Sequence, residues 1–289
     1  MKPSKKTLLY TVYIIGITVF FLWHLFPSES LKAYLAYRLA QGNPDVRVTI
    51  DRISPVLPPG IKLHNVGIAH QNKALIDLKN FKVMPGLGSL FSDTTTVNFK
   101  GRVCEGTLNG QAQFSDRQDG TGIKIEGWIS GVQVQQVSAL KQLSENQISG
   151  GLGGNFVYDG SAPTPSLAAN LSLTNCRVEL ATPIFDQKSF EFKTIAADLA
   201  MQNNSLRIEQ LSARGNQLDL DLSGSIALNE SDPTQNALNL TGNVTPHHVF
   251  LAKIEKEIPV DFLRKKQAGK NAFAFKVDGT LDEPGFSLN

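Results

Sequence analysis

From Val46 onward this chain keeps placing apolar residues two apart, and that period constrains its fold more than any other feature. Val46, Val48 and Ile50 alternate with Arg47, Thr49 and Asp51. Leu75, Ile76, Leu78, Phe81 and Val83 form a second, mostly alternating stretch. The segments 167–173 and 206–211 repeat the pattern, as does Leu218-Asp219-Leu220-Asp221-Leu222. Leu238-Asn239-Leu240 and Phe273-Ala274-Phe275-Lys276-Val277 follow. Successive side chains of a strand point to opposite faces, so each run has one face to bury and one to wet. Runs of this kind, punctuated by Gly, Pro, Asn and Asp, predict a mainly β, antiparallel body. Only 137–143 and 247–257 read as short helices.

A second regularity lies on top of the first. Leu108-Asn109-Gly110-Gln111-Ala112 and Ile125-Glu126-Gly127-Trp128-Ile129 share one design, an apolar–polar–Gly–polar–apolar unit. It returns in Leu222-Ser223-Gly224-Ser225-Ile226, Leu240-Thr241-Gly242-Asn243-Val244 and Val277-Asp278-Gly279-Thr280-Leu281. The glycines fall on the same strand face as the apolar residues. Spacings of 17 and 18 residues, and of 37 for two units, match one hairpin per repeat. Glycine inside a strand marks a bulge, a bend or a close backbone approach. A regular set of bends predicts a curved, elongated sheet, either a groove or a sandwich. Ser149-Gly150-Gly151-Leu152-Gly153-Gly154 separates the two groups of repeats. It reads as a hinge between halves 43–148 and 155–289.

Before the β pattern comes an apolar segment. Residues 8–26 carry no formal charge over 19 positions. At about 1.5 Å per residue they reach about 28 Å, close to the hydrocarbon thickness of a bilayer. Lys2, Lys5 and Lys6 precede them, so the positive-inside rule keeps 1–7 cytoplasmic and exports the remainder. A cleaved signal peptide is the competing reading. Its apolar core is shorter and ends in a small-residue cleavage site, which Phe26-Pro27-Ser28-Glu29-Ser30 does not offer. A permanent single-pass anchor is therefore expected. Leu31, Tyr34, Leu35 and Leu39 then recur at helical spacing, giving a juxtamembrane amphipathic helix over 27–42 with Gly42 as its stop. That helix either packs on the body or lies on the membrane.

The search for chemistry is largely negative. Net charge is +2, without the basic footprint of a nucleic-acid binder, and Arg264-Lys265-Lys266 is the longest basic run. His24, His64, His70, His247 and His248 show no metal-ligand spacing. The glycines of 150–154 lack the Lys-Ser/Thr of a phosphate loop. Asp219 and Asp221 share a strand face, which suits a bound cation or, more commonly, a solvated surface. No nucleophile has an evident base. A non-enzymatic protein is expected, with no catalytic, cofactor-binding or metal-ligating residues and no cofactor. Cys104 and Cys176 form either one disulfide or two packed thiols.

Four segments carry a resemblance. They are 26–35, the run Ile53-Ser54-Pro55-Val56-Leu57-Pro58-Pro59-Gly60-Ile61-Lys62-Leu63, the run 238–242, and the ending 277–286. Together the chain resembles the type II secretion system protein N family in its long, β-rich form. Its ending is also similar to the closing strands of AsmA-like proteins. The prolines at 58 and 59 fix φ and remove two donors, so a rigid turn or edge crossing is expected there independently. The first resemblance implies a structural subunit of the type II secretion apparatus, held in a Gram-negative inner membrane with its body in the periplasm. Its partners would be other secretion subunits, bound at exposed strand edges. The second implies lipid binding or transfer between membranes, with phospholipid as partner. Leu218, Leu220, Leu222, Leu238, Leu240, Phe273 and Phe275 would then line an apolar groove, where a closed core is the alternative.

Overall fold

A computed structural model describes residues 5–42, 46–57, 60–70, 73–86, 94–117, 120–143, 146–161, 164–184, 186–229, 231–257 and 272–288. Among them fourteen strands form one sheet whose strand order is the order of the chain. The chain divides into two compact units, Met1–Pro85 and Gly86–Asn289. The body is thus mainly β, and a single sheet replaces the two packed layers of a sandwich.

The first unit holds α1 (Lys5–His24), α2 (Ser28–Gly42), β1 (Val46–Val56), β2 (Gly60–His70) and β3 (Lys73–Pro85). Its strands form an antiparallel meander. Val48, Ile68 and Ile76 align across it, then Ile50, Val66 and Leu78, then Ile53, Leu63 and Phe81. Ile50, Val66 and Leu78 stand three residues from Ile53, Leu63 and Phe81, so strict alternation is broken here, where Asn65 and Asn80 have positive φ. Ile50, Ile53, Leu63, Val66 and Leu78 are buried. α2 packs against β1, and Lys32 Nζ donates to the Asp51 carbonyl at 3.1 Å.

Among the described residues no helix is long and apolar enough to cross a membrane. The span expected over 8–26 thus finds no support in a described helix. α1 starts on the charged Lys5-Lys6 pair and ends at His24, leaving out Leu25 and Phe26. Several of its side chains, at 12, 15, 18, 19, 22 and 23, lie outside the described residues. So do Pro58, Pro59 and the basic run 264–266.

The second unit holds β4 (Thr94–Val103), β5 (Gly106–Arg117), β6 (Gly120–Gln133), α3 (Ser138–Leu143), β7 (Gln147–Asp159), β8 (Ser166–Ile184), β9 (Gln187–Gln202), β10 (Ser205–Gly215), β11 (Leu218–Ala227), β12 (Ala237–Pro246), α4 (His248–Glu257), β13 (Phe273–Thr280) and β14 (Pro284–Leu288). Neighbouring strands are joined mostly by tight turns. Cys104-Glu105 and Asn203-Asn204 have positive φ at both positions, the two-residue hairpin geometry that matches the twist of the strands. The two helices expected over 137–143 and 247–257 are α3 and α4.

Two expectations need correction or completion. The glycines of 149–154 do not form a hinge. They lie inside β7, which is laddered to β6 on one side and β8 on the other, and the division between units falls at Pro85–Gly86 instead. A glycine-rich run bends a strand without ending its hydrogen bonding. The cysteines are both thiols. Cys104 sits in the β4–β5 turn and Cys176 in β8, at least three strand spacings of about 4.8 Å away, beyond the reach of a disulfide.

Candidate functional site

The cross-strand registers of the second unit reveal its dominant surface. One row runs through Phe99, Gly110, Gly127, Phe156, Ala169, Leu199, Ile208, Gly224, Leu240, Val277 and Phe286, one residue from each of eleven strands. Two residues away along the strands, or three across the bulge of β10, a second row takes Gly101, Leu108, Ile129, Gly154, Leu171, Ala197, Leu211, Leu222, Gly242, Phe275 and Leu288. On the other side a third takes Val97, Ala112, Ile125, Tyr158, Leu167, Met201, Leu206, Ile226, Leu238, Gly279 and Pro284. The three rows contain no charge, and their one polar group is the Tyr158 hydroxyl.

At about 4.8 Å per strand and about 7 Å per pair of residues, this face extends roughly 48 Å across the strands and roughly 14 Å along them. The reverse face is polar. Its matching row runs Lys100, Asn109, Trp128, Asn155, Asn170 and Asp198.

The glycines of the apolar rows, most of them from the repeat, act in two ways. Some lie beneath an aromatic ring. Gly110 faces Phe99, Gly127 faces Phe156 and Gly242 faces Phe275 across their strands. A Cβ added at Gly242 would meet Phe275 Cζ at 2.9 Å, and at Gly110 or Gly127 it would run into the facing ring. Missing side chains let these rings lie down on the sheet. Others take a backbone conformation that only glycine adopts readily. Gly154 and Gly224 have φ of +141° and +143°, a region closed to L side chains, and an added Cβ would strike the Asn170 or Asn239 carbonyl.

Coverage of the face is uneven. At one end α4 lies over it. Phe250 is 5% exposed and packs with Phe273, Phe190, Leu218 and Val244. The Phe190 and Phe250 rings meet edge to face at 5.5 Å. Near α3, Val134 is buried and, with Leu140 and Ile148, lines a cavity of about 440 Å³. Within the three rows Ala112, Ala169, Ile208, Leu238, Leu240 and Phe275 are buried. Leu108, Ile129, Leu171, Leu199, Leu211 and Leu222 are all only half-buried. The seven residues expected to line a groove or fill a core all lie on this face. Leu238, Leu240, Phe273 and Phe275 are buried, while Leu218, Leu220 and Leu222 remain half-exposed.

The polar candidates come apart. Asp219 and Asp221 share the polar face, yet each has its own partner. Arg214 forks onto Asp221 at 2.7 and 3.1 Å. Asp219 accepts from the Gly215 amide at 3.1 Å and faces His247 Nε2 at 3.5 Å. His247 is also held through Nδ1 to the Asn216 carbonyl at 3.0 Å. His64 lies in the first unit, with Nε2 3.0 Å from Ser54 Oγ. Among the described residues no cluster of His, Cys, Asp or Glu could hold a metal ion.

The apolar sides of 108–112, 125–129, 167–173 and 218–222 are legible strand by strand in the sequence, but their union into one surface is not. Phe99, Phe156, Ala169 and Leu199 belong to it through register alone. No regular spacing joins them in the sequence, where Phe99, Gly110, Gly127 and Phe156 stand 11, 17 and 29 residues apart.

Comparison with protein-family models, with curated proteins and with solved structures found no match to the chain.

Proposed function

We propose that this protein is a membrane-anchored, non-enzymatic lipid handler whose sheet binds acyl chains on its apolar face. The observation that carries the reading is the set of three uncharged rows crossing eleven strands, along which Leu108, Ile129, Leu171, Leu199, Leu211 and Leu222 stay half-exposed. Apolar side chains left half-exposed over several neighbouring strands mark ligand, membrane or protein contacts. One acyl chain spans about half of a roughly 30 Å hydrocarbon core, so the face has room for several. Bending at Gly154 and Gly224 would curve it into a groove.

The anchor belongs to the same proposal. Residues 8–26 carry no charge, and Leu9, Tyr13, Ile14 and Phe20 of α1 are more than 60% exposed. A bilayer would remove that surface from water at about 25 cal/mol per Å². With Lys2, Lys5 and Lys6 inside, the body would stand in the periplasm of a Gram-negative cell, next to the inner membrane. This is the AsmA-like alternative of the two resemblances.

The test uses the two-residue period itself. A photo-crosslinking amino acid at Leu171 points to the apolar face, and one at Asn170 points away from it. Phospholipid adducts are expected from position 171 and not from 170. Equal yields from both, or none from 171, would end the lipid reading.

A subunit of the type II secretion apparatus is the second reading, drawn from the segments at 26–35, 53–63, 238–242 and 277–286. The feature favouring it is β14, the last strand in the sheet order, where Phe286 is 64% exposed. An edge of this kind can add a partner's strand. A crosslinker at Phe286 that captures secretion components and no lipid would favour this reading over the first.

A further inference from the structure

Helix α2 has two faces of different fate. Ser28, Leu31, Lys32 and Leu35 are half-buried, on the side that packs on β1. Ser30, Ala33, Tyr34 and Tyr37 recur at i, i+3, i+4 and i+7, which places them on one outward stripe. Tyr34 is 54% exposed and Tyr37 is 63% exposed.

The chain reaches this stripe almost directly from α1. Only Leu25, Phe26 and Pro27 separate the two helices. The connection is tight: the Ser28 amide donates to the Phe26 carbonyl at 2.8 Å, and the Leu31 amide to the Pro27 carbonyl at 3.0 Å. If α1 enters a bilayer, α2 has no length of linker with which to leave the membrane surface.

We propose that the outward stripe of α2 lies in the lipid headgroup layer, so that α2 is held between the bilayer surface and β1. This deepens the membrane-anchor reading and rests on it. Tyrosine suits the position because its ring accepts an apolar contact while its hydroxyl stays hydrated. A protein partner is the less favoured occupant. The described residues of the stripe include no Leu, Ile, Val, Met or Phe to build the apolar centre of a protein interface. The consequence is orientation: β1 is fixed beside the membrane rather than swinging on a tether.

The test uses the full chain in phosphatidylethanolamine–phosphatidylglycerol vesicles, in a Cys104→Ser background that leaves the buried Cys176 in place. Spin labels go on Ala33→Cys and, as an aqueous control, on Arg207→Cys of β10. The ratio of oxygen to nickel-chelate accessibility is read at each. A ratio several-fold higher at position 33 is expected, and it should fall toward the control when Tyr34 and Tyr37 are both changed to Ser. Equal ratios at 33 and 207, in protein that stays with the vesicles through an alkaline wash, would overturn the inference alone. Release of the chain by that wash would sink the anchor and this inference together.

Discussion

Gly110 of β5 sits directly opposite Gly127 of β6, and each is faced on its outer side by a phenylalanine, Phe99 and Phe156. Four consecutive strands thus share a row of ring, gap, gap, ring. The first two repeats of the sequence are cross-strand partners, so their 17-residue spacing is the length of one hairpin.

This arrangement sorts the glycines by what an added methyl would meet. Gly153 and Gly154 are neighbours in β7 but differ sharply. A Cβ at Gly153 has its nearest neighbour, the Ile129 carbonyl, at 3.6 Å, an ordinary contact. One at Gly154 would strike the Asn170 carbonyl, and φ there is +141°. Gly153→Ala is expected to be neutral or to stabilise by up to about 1 kcal/mol, through the unfolded chain. Gly154→Ala and Gly110→Ala should each cost about 1–3 kcal/mol, since backbone carbonyls and a packed ring must shift. Urea unfolding midpoints of the three variants check the ordering.

Phe250 is the contact that fastens α4. Phe250→Ala leaves a cavity against Phe190 and Phe273 and is expected to cost about 3 kcal/mol, the low end for a buried aromatic. Because α4 is peripheral to the sheet, the loss should show first as faster amide exchange in 248–257, with the protection of β12 retained. Loss of protection across β12 and β13 together would mean that α4 supports the sheet itself.

His64 makes the first unit sensitive to acid. Partial burial, with Lys62 and Arg52 nearby, holds its imidazole pKa below the usual value. A depressed pKa means the unfolded chain binds the proton more readily than the folded one. Stability is therefore full above about pH 6.5, the ordinary histidine value, and declines as pH falls toward the folded pKa. His64→Gln should flatten that decline between about pH 7.5 and about pH 5. The check is thermal unfolding of both proteins across the range, alongside an NMR titration of the ring.

The carboxylates on β11 are expected to be inert toward cations. Asp221 is forked by Arg214 and Asp219 is engaged by Gly215 and His247. Calcium or magnesium should leave the melting temperature unchanged. Arg214→Ala should cost no more than about 1 kcal/mol, because both members of its pair are half-exposed. A cation-dependent rise in melting temperature would show that these groups rearrange into a site.

Most of the strand content was legible because alternation is a local property. Leu218, Leu220 and Leu222 reveal a one-sided strand without any knowledge of the neighbours. Likewise α3 and α4 could be read from spacing within a single helix. The repeat glycines were visible too, together with their position on the apolar face. The glycine run in β7 was misread as a hinge because flexibility in isolation and bending under a full ladder look the same in a string of residues.

What the sequence determined by itself was therefore the period, and with it which side of each strand is apolar. What only the tertiary structure decided was the register. A shift of one residue between neighbouring strands would have turned alternate sides outward and broken the rows. Phe99 and Phe286 lie 187 residues apart in the chain, and ten cross-strand pairings in a row put them on one uncharged line. That line depends on turns, on the bulge near Ile208 and on glycines that let rings lie flat, each a fit between strands rather than a property of one.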